Sequence, residues 1–195
     1  MSYSLTYPDA SVRTLAPIIE TERLVLRAFK QADIVRFAEM HADEDATQFT
    51  GGTKDLTASW LRMSAMLGSW SLKGFGPFAV EAKRDRKLVG LAGPWQPEGK
   101  WKEAEISYAF HPDSHGQGFA KEAVEACLRF VYETLEWPEA MSCIDKENAK
   151  SIALAEKLGA RFERNIKIYK TVPVQVWRYP YPAEFDENWK LWGAE

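Results

Sequence analysis

The most informative residues of this chain are His115-Gly116-Gln117-Gly118-Phe119-Ala120, a glycine-rich loop that runs directly into an amphipathic helical pattern. A turn of this kind exposes backbone N–H groups, and the first N–H groups of a helix have no acceptor within the helix. The helix dipole is also positive at this end, so the loop predicts a site for an anion such as a phosphate or a diphosphate. The simpler interpretation is a tight turn in which glycine only provides unusual backbone angles.

The sequence on either side of this loop predicts a strand before it and a helix after it. After the loop, apolar residues recur at the spacing of a helix that faces a core, namely Ala120, Ala123, Val124, Cys127, Leu128, Val131 and Leu135. Before the loop, residues 104–110 alternate like a strand, with Ile106, Tyr108 and Phe110 on one face and Glu105, Ser107 and Ala109 on the other. Pro112 ends the strand, because proline lacks the N–H group that a sheet needs.

A second strand and helix follow in the same order farther along the chain. Residues 140–144 form an apolar run typical of a strand, and Asn148 opens a helical pattern that continues through Leu158. Asparagine is a strong helix N-cap, and Gly159 is a strong stop signal. The chain therefore contains two strand-to-helix units in succession.

These motifs resemble the GNAT N-acetyltransferase superfamily, and residues 105–162 resemble its acyl-CoA-binding half. The resemblance is closer to the branch that includes the ribosomal-protein N-terminal acetyltransferases. The loop of the family has arginine or glutamine, two variable residues, glycine, one variable residue, and then glycine or alanine. Gly118 and Ala120 fill the last two fixed positions, whereas His115 stands at the first.

The resemblance extends beyond the loop and indicates the domain organisation. Residues 19–27 resemble the opening strand of this branch, and residues 148–160 resemble its later asparagine-helix-lysine-leucine-glycine element. A chain of 195 residues that is 46% hydrophobic and 27% charged suits a single core. We expect a GNAT domain at residues 17–182, an N-terminal extension at residues 1–16, and a tail at residues 183–195 that packs on the domain.

The remaining sequence predicts further strands and helices of a mixed α/β fold. Strands are expected at residues 24–28, 77–82, 87–95, 161–170 and 172–179, and helices at residues 33–41 and 57–72. The order is β-α-α-β-β-β-α-β-α-β-β. The resemblance implies the GNAT fold, in which helices cover both faces of a central, mostly antiparallel mixed sheet. That sheet would splay in the middle, between the strand that ends at Phe110 and the strand at residues 140–145.

Charge and composition exclude several classes of function. The net charge of −3 and the pI of about 5.8 give no overall attraction to nucleic acid. The sequence has no charged-then-apolar leader and no apolar stretch of about 18 residues, so we expect a cytoplasmic protein without a membrane span. Cys127 and Cys143 fall in apolar patterns, which predicts reduced core residues and no metal site.

The resemblance implies acetyl-CoA as the cofactor and indicates the residues that bind it. The main chain around Ala109, Phe110 and His111 would hold the pantetheine arm within the splay. The N–H groups of the loop would hold the diphosphate, and its residues are His115, Gly116, Gln117, Gly118, Phe119, Ala120 and Lys121. The side chains of His115 and Lys121 would contact phosphate, or would simply be exposed to solvent. Asn148 and Ser151 are further expected contacts.

The resemblance also implies a reaction in which a neutral amine attacks the acetyl thioester. This reaction needs a base, a backbone N–H for the developing negative oxygen, and an acid for the departing sulfur. Glu105 is the candidate base, Ser151 is the candidate acid, and Tyr169 is the second candidate acid. His115 is another possible base. The alternatives are a solvated or ion-paired Glu105, an ordinary first-turn Ser151 and a packing role for Tyr169.

The expected acceptor is a primary amine, either a protein N-terminus or a small molecule, and the protein would act as a monomer or a homodimer. Trp60, Trp70, Trp95 and Trp101 fall in segments that would border an acceptor cleft, although tryptophans are also common in cores. A non-catalytic acyl-CoA-binding sensor or scaffold is the alternative, suggested by His115 at the first position of the loop. A second alternative is an enzyme that transfers a longer acyl group.

Overall fold

The computed structural model of the protein describes residues 16–97, 103–168 and 171–181. The strands are β1 (Ile19–Glu20), β2 (Leu24–Arg27), β3 (Phe78–Ala82), β4 (Leu88–Trp95), β5 (Glu105–Phe110), β6 (Ala140–Ile144), β7 (Arg161–Ile168) and β8 (Val172–Tyr179). The α-helices are α1 (Ile34–Ala42), α2 (Glu44–Thr47), α3 (Leu56–Lys73), α4 (Phe119–Arg129) and α5 (Ala149–Lys157). Tyr169, residues 1–15 and the expected tail lie outside the described residues.

The opening segment is a hairpin, whereas the sequence indicates a single strand. β1 and β2 pair in an antiparallel manner, with Ile19 opposite Leu26. Thr21 closes the turn, because its N–H donates to the carbonyl of Leu24 over 3.0 Å and its hydroxyl accepts from the N–H of Leu24 over 3.0 Å. This turn brings residues 21–23 next to the start of α4, where the glycine loop ends.

Two helical details also differ from the expected pattern. The short helix α2 is additional, and Asp43 caps it by accepting a hydrogen bond from the N–H of Ala46 over 2.7 Å. The predicted helix through Leu135 is α-helical only as far as Arg129, and Phe130–Thr134 continue it as a π-helix. The N–H of Leu135 reaches the carbonyl of Phe130, five residues earlier, over 3.1 Å. The spacing of apolar residues in the sequence does not distinguish an α-helical turn from a π-helical turn.

The strands form two sheets, and the break between them lies where the splay is expected. Within the described ranges, one sheet has the order β1-β2-β3-β4-β5 and the other has the order β6-β8-β7, and all pairings are antiparallel. Side chains connect β5 to β6 across the break. The hydroxyl of Ser142 donates to the carbonyl of Ile106 over 2.6 Å, and the carboxylate of Glu105 accepts from the N–H of Cys143 over 3.0 Å. The sheet is therefore splayed between β5 and β6.

Helices cover both faces of the larger sheet, as the sequence predicts. On one face, α4 buries Phe119, Val124 and Leu128 in a cluster that also contains Leu26 and Ile106. On the other face, α1 and α3 bury a second cluster that includes Phe37, Met40, Met63, Met66, Ala79 and Leu91. Burial of one such side chain stabilises a fold by about 1.5–3 kcal/mol. The helix that follows the glycine loop is thus firmly anchored to the sheet.

Candidate active site

The glycine loop presents unused N–H groups at the start of α4. Gly116 and Gly118 have φ angles of +73° and +80°, which only glycine adopts readily. In the part of the chain that the structure describes, the N–H groups of residues 116–121 donate to no backbone or side-chain acceptor. The first N–H bond of the helix is that of Glu122, which donates to the carbonyl of Gly118 over 3.2 Å. The loop therefore has the donors that a bound phosphate or diphosphate would need.

A buried carboxylate fixes the position of this loop. Glu122 is 6% exposed and accepts hydrogen bonds from the hydroxyl of Thr21 over 2.6 Å, from the N–H of Arg23 over 2.8 Å and from Nε of Arg23 over 2.7 Å. Nε of Arg23 donates to Oε2 of Glu122, and Nη2 of Arg23 lies 2.6 Å from the same oxygen. Burial alone would raise the pKa of Glu122, but these hydrogen bonds and the charge of Arg23 lower it. Glu122 is thus held as a carboxylate.

Arg23 also contacts the glycine loop directly. Its Nη1 donates to the carbonyl of Gln117 over 2.8 Å, and its guanidinium lies over the ring of Phe119 at 5.1 Å. In a planar trans peptide, the carbonyl and the following N–H point in opposite directions. Because Arg23 holds the carbonyl of Gln117, the N–H of Gly118 must point away from Arg23. We name Arg23 and Glu122 the loop clasp; no motif in the sequence indicates either residue as part of the site.

The hydrogen bonds of β5 contradict part of the predicted pantetheine site. The N–H of His111 already donates to the carbonyl of Val89 on β4 over 2.9 Å. Main-chain groups of successive strand residues point to opposite sides, so Ala109 also faces β4, whereas Tyr108 and Phe110 face the open edge of the splay. The expectation that Ala109 and His111 face the cofactor is therefore wrong for their main-chain groups. The N–H of Phe110 faces the open edge, whereas its carbonyl lies 3.0 Å from Nε2 of His115.

The side chains of the loop have partners within the protein. Nε2 of His115 lies 3.0 Å from the carbonyl of Phe110, and since a carbonyl only accepts, Nε2 carries the proton. Nε2 of Gln117 donates to the carbonyl of Asp113 over 2.8 Å. The ammonium of Lys121 forms an ion pair with Glu125, one helical turn later. These contacts leave the backbone N–H groups, rather than the side chains, as the unused donors of the loop.

A cavity of about 420 Å³ opens where β5 and β6 splay apart. Its walls come from β5, β6, the start of α5, α3 with the loop before it, and the β7–β8 hairpin. It is lined by Phe49, Thr50, Gly51, Lys54, Arg62, Trp95, Glu105, Ile106, Ser107, Tyr108, Ser142, Cys143, Ile144, Asp145, Asn148, Ser151, Ile168, Val172 and Val174. The structure thus brings the predicted residues Glu105, Asn148 and Ser151 together around one space.

Glu105 has the properties of a general base in this cavity. It is 6% exposed, so the alternative of a solvated strand residue does not fit its position. Burial raises the pKa of Glu105 to about 7, although the hydrogen bond from Cys143 and the charge of Arg62 act in the opposite direction. A carboxylate with this pKa is available to take up a proton at neutral pH.

Two hydroxyl groups in the cavity are candidates for the general acid. Asn148 is the N-cap of α5, as predicted, and its Oδ1 accepts from the N–H of Ser151 over 3.1 Å. This cap fixes Ser151 at the cavity wall. The hydroxyl of Tyr108 donates to the carbonyl of Ser151 over 3.3 Å, and burial raises the pKa of Tyr108 to about 12. Tyr108 therefore keeps its proton, whereas the sequence pattern indicates only a strand residue at this position.

The tryptophans divide between the cavity and the core. Trp95 lines the cavity, whereas Trp70 is 1% exposed in the core and its Nε1 donates to the carbonyl of Pro77 over 3.2 Å. Trp60 is partly exposed and is not among the lining residues, and Trp101 lies outside the described residues. The expectation that Trp70 borders an acceptor cleft is therefore wrong.

The two cysteines differ in their relation to this site, because Cys143 lines the cavity whereas Cys127 is buried in the core. Cys127 and Cys143 are both free thiols, and burial raises the pKa of each. Within the described residues, no group of three or more His, Cys, Asp and Glu side chains is placed to hold a metal ion. None of the described helices combines the length and the apolar character needed to cross a membrane.

Comparisons with known proteins agree with this geometry. The sequence profile of the acetyltransferase (GNAT) domain matches residues 23–161. The chain is 30% identical to YkkB, an uncharacterized protein of Bacillus subtilis (strain 168), over 154 residues, which cover 75% of this chain and 87% of YkkB. It superposes on an acetyltransferase from Agrobacterium tumefaciens str. C58 with a TM-score of 0.77 and 25% identity, over 92% of this chain and 99% of the other. A ribosomal-protein acetyltransferase from Vibrio fischeri shares the fold at a TM-score of 0.67 and 16% identity, over 87% and 99% of the two chains.

Proposed function

The chain belongs to the GNAT acetyltransferase family, and from this we propose that it transfers the acetyl group of acetyl-CoA to a primary amine in the cavity between β5 and β6. The observation that carries the proposal is the run of unused N–H groups at residues 116–121, which ends at the start of α4 beside the open edge of β5. Diphosphate is the part of coenzyme A that such a cradle would bind.

The residues around the splay suit the rest of the cofactor. The loop clasp turns the N–H of Gly118 outward. The main-chain groups of Tyr108 and the N–H of Phe110 face the open edge of β5, where an amide-rich arm such as pantetheine could pair with them. The carbonyl of Phe110 already lies 3.0 Å from Nε2 of His115. Asn148 and Ser151 lie at the far wall of the same space. When bound, acetyl-CoA supplies an activated acetyl group as a thioester.

The cavity residues would manage the protons of the reaction. Glu105 would accept the proton that the attacking amine loses, directly or through a water molecule. The hydroxyl of Ser151 or of Tyr108 would provide a proton for the departing sulfur. Tyr108 adds to the two acids expected from the sequence, Ser151 and Tyr169, because its phenol lies in the cavity and remains protonated.

The same proposal includes the class of acceptor, the acetyl group as the acyl group, and the oligomeric state. The acceptor would be a small molecule or a peptide N-terminus, and the protein would act as a monomer or a homodimer. The two unpaired thiols, Cys127 and Cys143, are compatible with a reducing compartment such as the cytoplasm.

A thiol-release assay tests the proposed function. The protein is incubated with acetyl-CoA and with a panel of amines, and free CoA is measured over time. We expect release that depends on the amine, together with a product that carries an acetyl amide. If the protein binds acetyl-CoA but no amine promotes release, the non-catalytic sensor is the correct function. Faster release with propionyl- or butyryl-CoA than with acetyl-CoA would instead identify a longer acyl group.

The loop clasp leads to a separate prediction about cofactor affinity. Replacing Arg23 with methionine removes the bond to the carbonyl of Gln117 and the side-chain contacts with Glu122, which frees the peptide after Gln117 to rotate. A hydrogen bond to a charged group contributes about 1.5–3 kcal/mol, so we expect CoA to bind about tenfold more weakly. Pantetheine, which lacks the diphosphate, should bind this variant as well as it binds the wild-type protein. Calorimetry with both ligands measures the difference.

Arg84→Met is the matched control for this prediction. The guanidinium of Arg84 also lies over the ring of Phe119, at 5.5 Å, but within the described residues it donates no hydrogen bond to the loop backbone. We expect this variant to bind CoA as the wild-type protein does. An equal loss of CoA and pantetheine affinity in Arg23→Met would contradict the role of the clasp, because it would indicate general damage to the fold.

A further inference from the structure

One wall of the cavity carries two positive side chains. Lys54 precedes α3, Arg62 lies on α3, and both line the cavity. The ammonium of Lys54 donates to the carbonyl of Gly51 over 3.2 Å and to the carbonyl of Gly52 over 2.7 Å. These two glycines have φ angles of +93° and +71°, so the turn that holds the ammonium depends on glycine. The positive charge of Lys54 is thus held at a defined place beside the cavity.

The two cations affect each other and the groups around them. Burial lowers the pKa of Lys54, and the charge of Arg62 lowers it further. The neighbouring His41 is buried, and mainly for this reason its pKa is lowered to about 4, so it remains neutral. Like charges on one wall oppose each other, and an anion bound between them relieves that repulsion. The wall therefore favours a negatively charged ligand group.

The acidic residues that line the cavity belong to β5 and to the turn after β6, whereas the two cations belong to α3 and the loop before it. Asp145 follows β6, and its Oδ1 accepts from the N–H of Glu147 over 2.9 Å in the turn that leads to α5. Glu105 is on β5, and the charge of Arg62 influences its pKa, so the cations and the candidate base act within one electrostatic environment. A ligand with its anionic group at the cations could therefore present a second group to Glu105.

The size and the other walls of the cavity suit a small molecule. A volume of about 420 Å³ falls in the range of small-molecule sites. The remaining lining side chains are both polar and apolar, and the apolar ones include Phe49, Trp95, Ile144, Ile168, Val172 and Val174. The cavity thus combines apolar and hydroxyl-bearing side chains with two cations and the buried carboxylate of Glu105.

Resting on the proposed acetyl transfer, we propose that the acceptor is a small primary amine that also carries an anionic group, such as the carboxylate of an amino acid. Lys54 and Arg62 bind the anionic group, and the amine faces Glu105. This arrangement selects against a polyamine, because its additional positive charges would meet the two cations. It also explains why the cations stand in the acceptor cavity, which has no need of positive charge to hold a simple amine.

Matched pairs of amines test this inference. Alanine, valine, leucine, methionine and phenylalanine are each compared with their own carboxamides, which keep the amine and the shape but lack the negative charge. Rates are compared at equal concentrations of the unprotonated amine. We expect the wild-type enzyme to favour the carboxylate form in kcat/KM by about tenfold or more, and to favour it less at high salt. Spermidine should be a poor acceptor.

Substitutions of Lys54 and Arg62 test whether these two residues cause the preference for the carboxylate form. Arg62→Gln and Lys54→Gln should each lower the ratio between the two forms by about fivefold or more, and Arg62→Lys should retain part of it because it keeps the charge. Lys73→Gln is the control, since Lys73 lies in the last turn of α3 and is not among the lining residues. The ratio should not change in that variant.

The possible outcomes separate this inference from the proposed function. If both forms of each pair react equally, or if spermidine reacts best, the anionic acceptor is wrong while acetyl transfer stands. Reaction only with peptides that begin with or contain an early acidic residue would overturn the small-molecule acceptor. If no amine in the panel promotes thiol release, the proposed function fails, and the inference fails with it.

Discussion

CoA affinity is expected to fall by about a hundredfold or more when Gly118 is replaced by valine. Gly118 has a φ angle of +80°, and a Cβ atom at this position would lie 3.3 Å from Nη2 of Arg23. A β-branched side chain would force the backbone out of this conformation and turn its N–H groups away from the diphosphate. The loss of two charge-assisted hydrogen bonds, each of about 1.5–3 kcal/mol, gives the expected size of the effect. Calorimetric titration with CoA measures it.

Gly74→Val is the matched control for this variant. Gly74 ends α3 with a φ angle of +75°, and a Cβ atom there would meet nothing within 4 Å. Both substitutions strain a left-handed backbone, so both should lower the melting temperature. Only Gly118→Val should lose CoA affinity. Wild-type affinity in Gly118→Val, or an equal loss in both variants, would show that the loop does not bind the diphosphate.

Turnover is expected to fall by about a hundredfold or more in Glu105→Gln, with little change in the affinity for CoA. Glutamine preserves the shape of the side chain, and its amide oxygen can still accept from the N–H of Cys143. It cannot take up the proton of the amine. Steady-state kinetics with a reactive amine and calorimetry with CoA measure the two quantities separately.

The pH dependence of the same variant provides an independent result. The ionised form of Glu105 is the base, and burial raises its pKa to about 7, so wild-type kcat/KM should rise with pH through this value. The folded protein also holds this proton more tightly than the unfolded chain, whose carboxyl has the ordinary pKa of 4.5. The free energy of unfolding should therefore decrease as the pH rises from about 4.5 to about 7. Glu105→Gln should lose both the rise in kcat/KM and the decrease in the free energy of unfolding. Above about pH 7 it should be more stable relative to the wild-type protein than it is below about pH 4.5.

Glu103→Gln is the control for Glu105. Glu103 lies two residues earlier and forms surface ion pairs with Arg164 and Arg178 instead of lining the cavity. We expect this variant to have a wild-type turnover and pH profile, because exposed ion pairs contribute little. A Glu105→Gln enzyme with an unchanged rate and pH profile would remove Glu105 from the role of base.

The sequence predicts the fold well because each signal is local. The glycines before α4, the N-cap Asn148 and the stop signal Gly159 act within one turn of the chain, and the structure confirms all three elements. The alternation in β5 and the apolar spacing of α4 also depend only on near neighbours. The family resemblance then provided the splay between β5 and β6, which no local pattern reveals.

The candidate site could be predicted only in part, because its geometry depends on distant contacts. Glu122 and Arg23 are 99 residues apart in the sequence, and neither carries a motif that reveals the bond between them. Tyr108 shares the alternating pattern of core residues, so the sequence could not show that its phenol reaches a cavity. The prediction that the main-chain groups of Ala109 and His111 face the cofactor is wrong, because the sequence of one strand does not reveal its register with its neighbour.

The central claim is that the backbone N–H groups of residues 116–121 bind the diphosphate of coenzyme A. A crystal structure of the wild-type protein with CoA tests it most directly. We expect phosphate oxygens at hydrogen-bond distance, about 2.7–3.2 Å, from several of these N–H groups, with the pantetheine arm between β5 and β6. A fully occupied CoA whose diphosphate lies elsewhere, with these N–H groups unused, would contradict the claim.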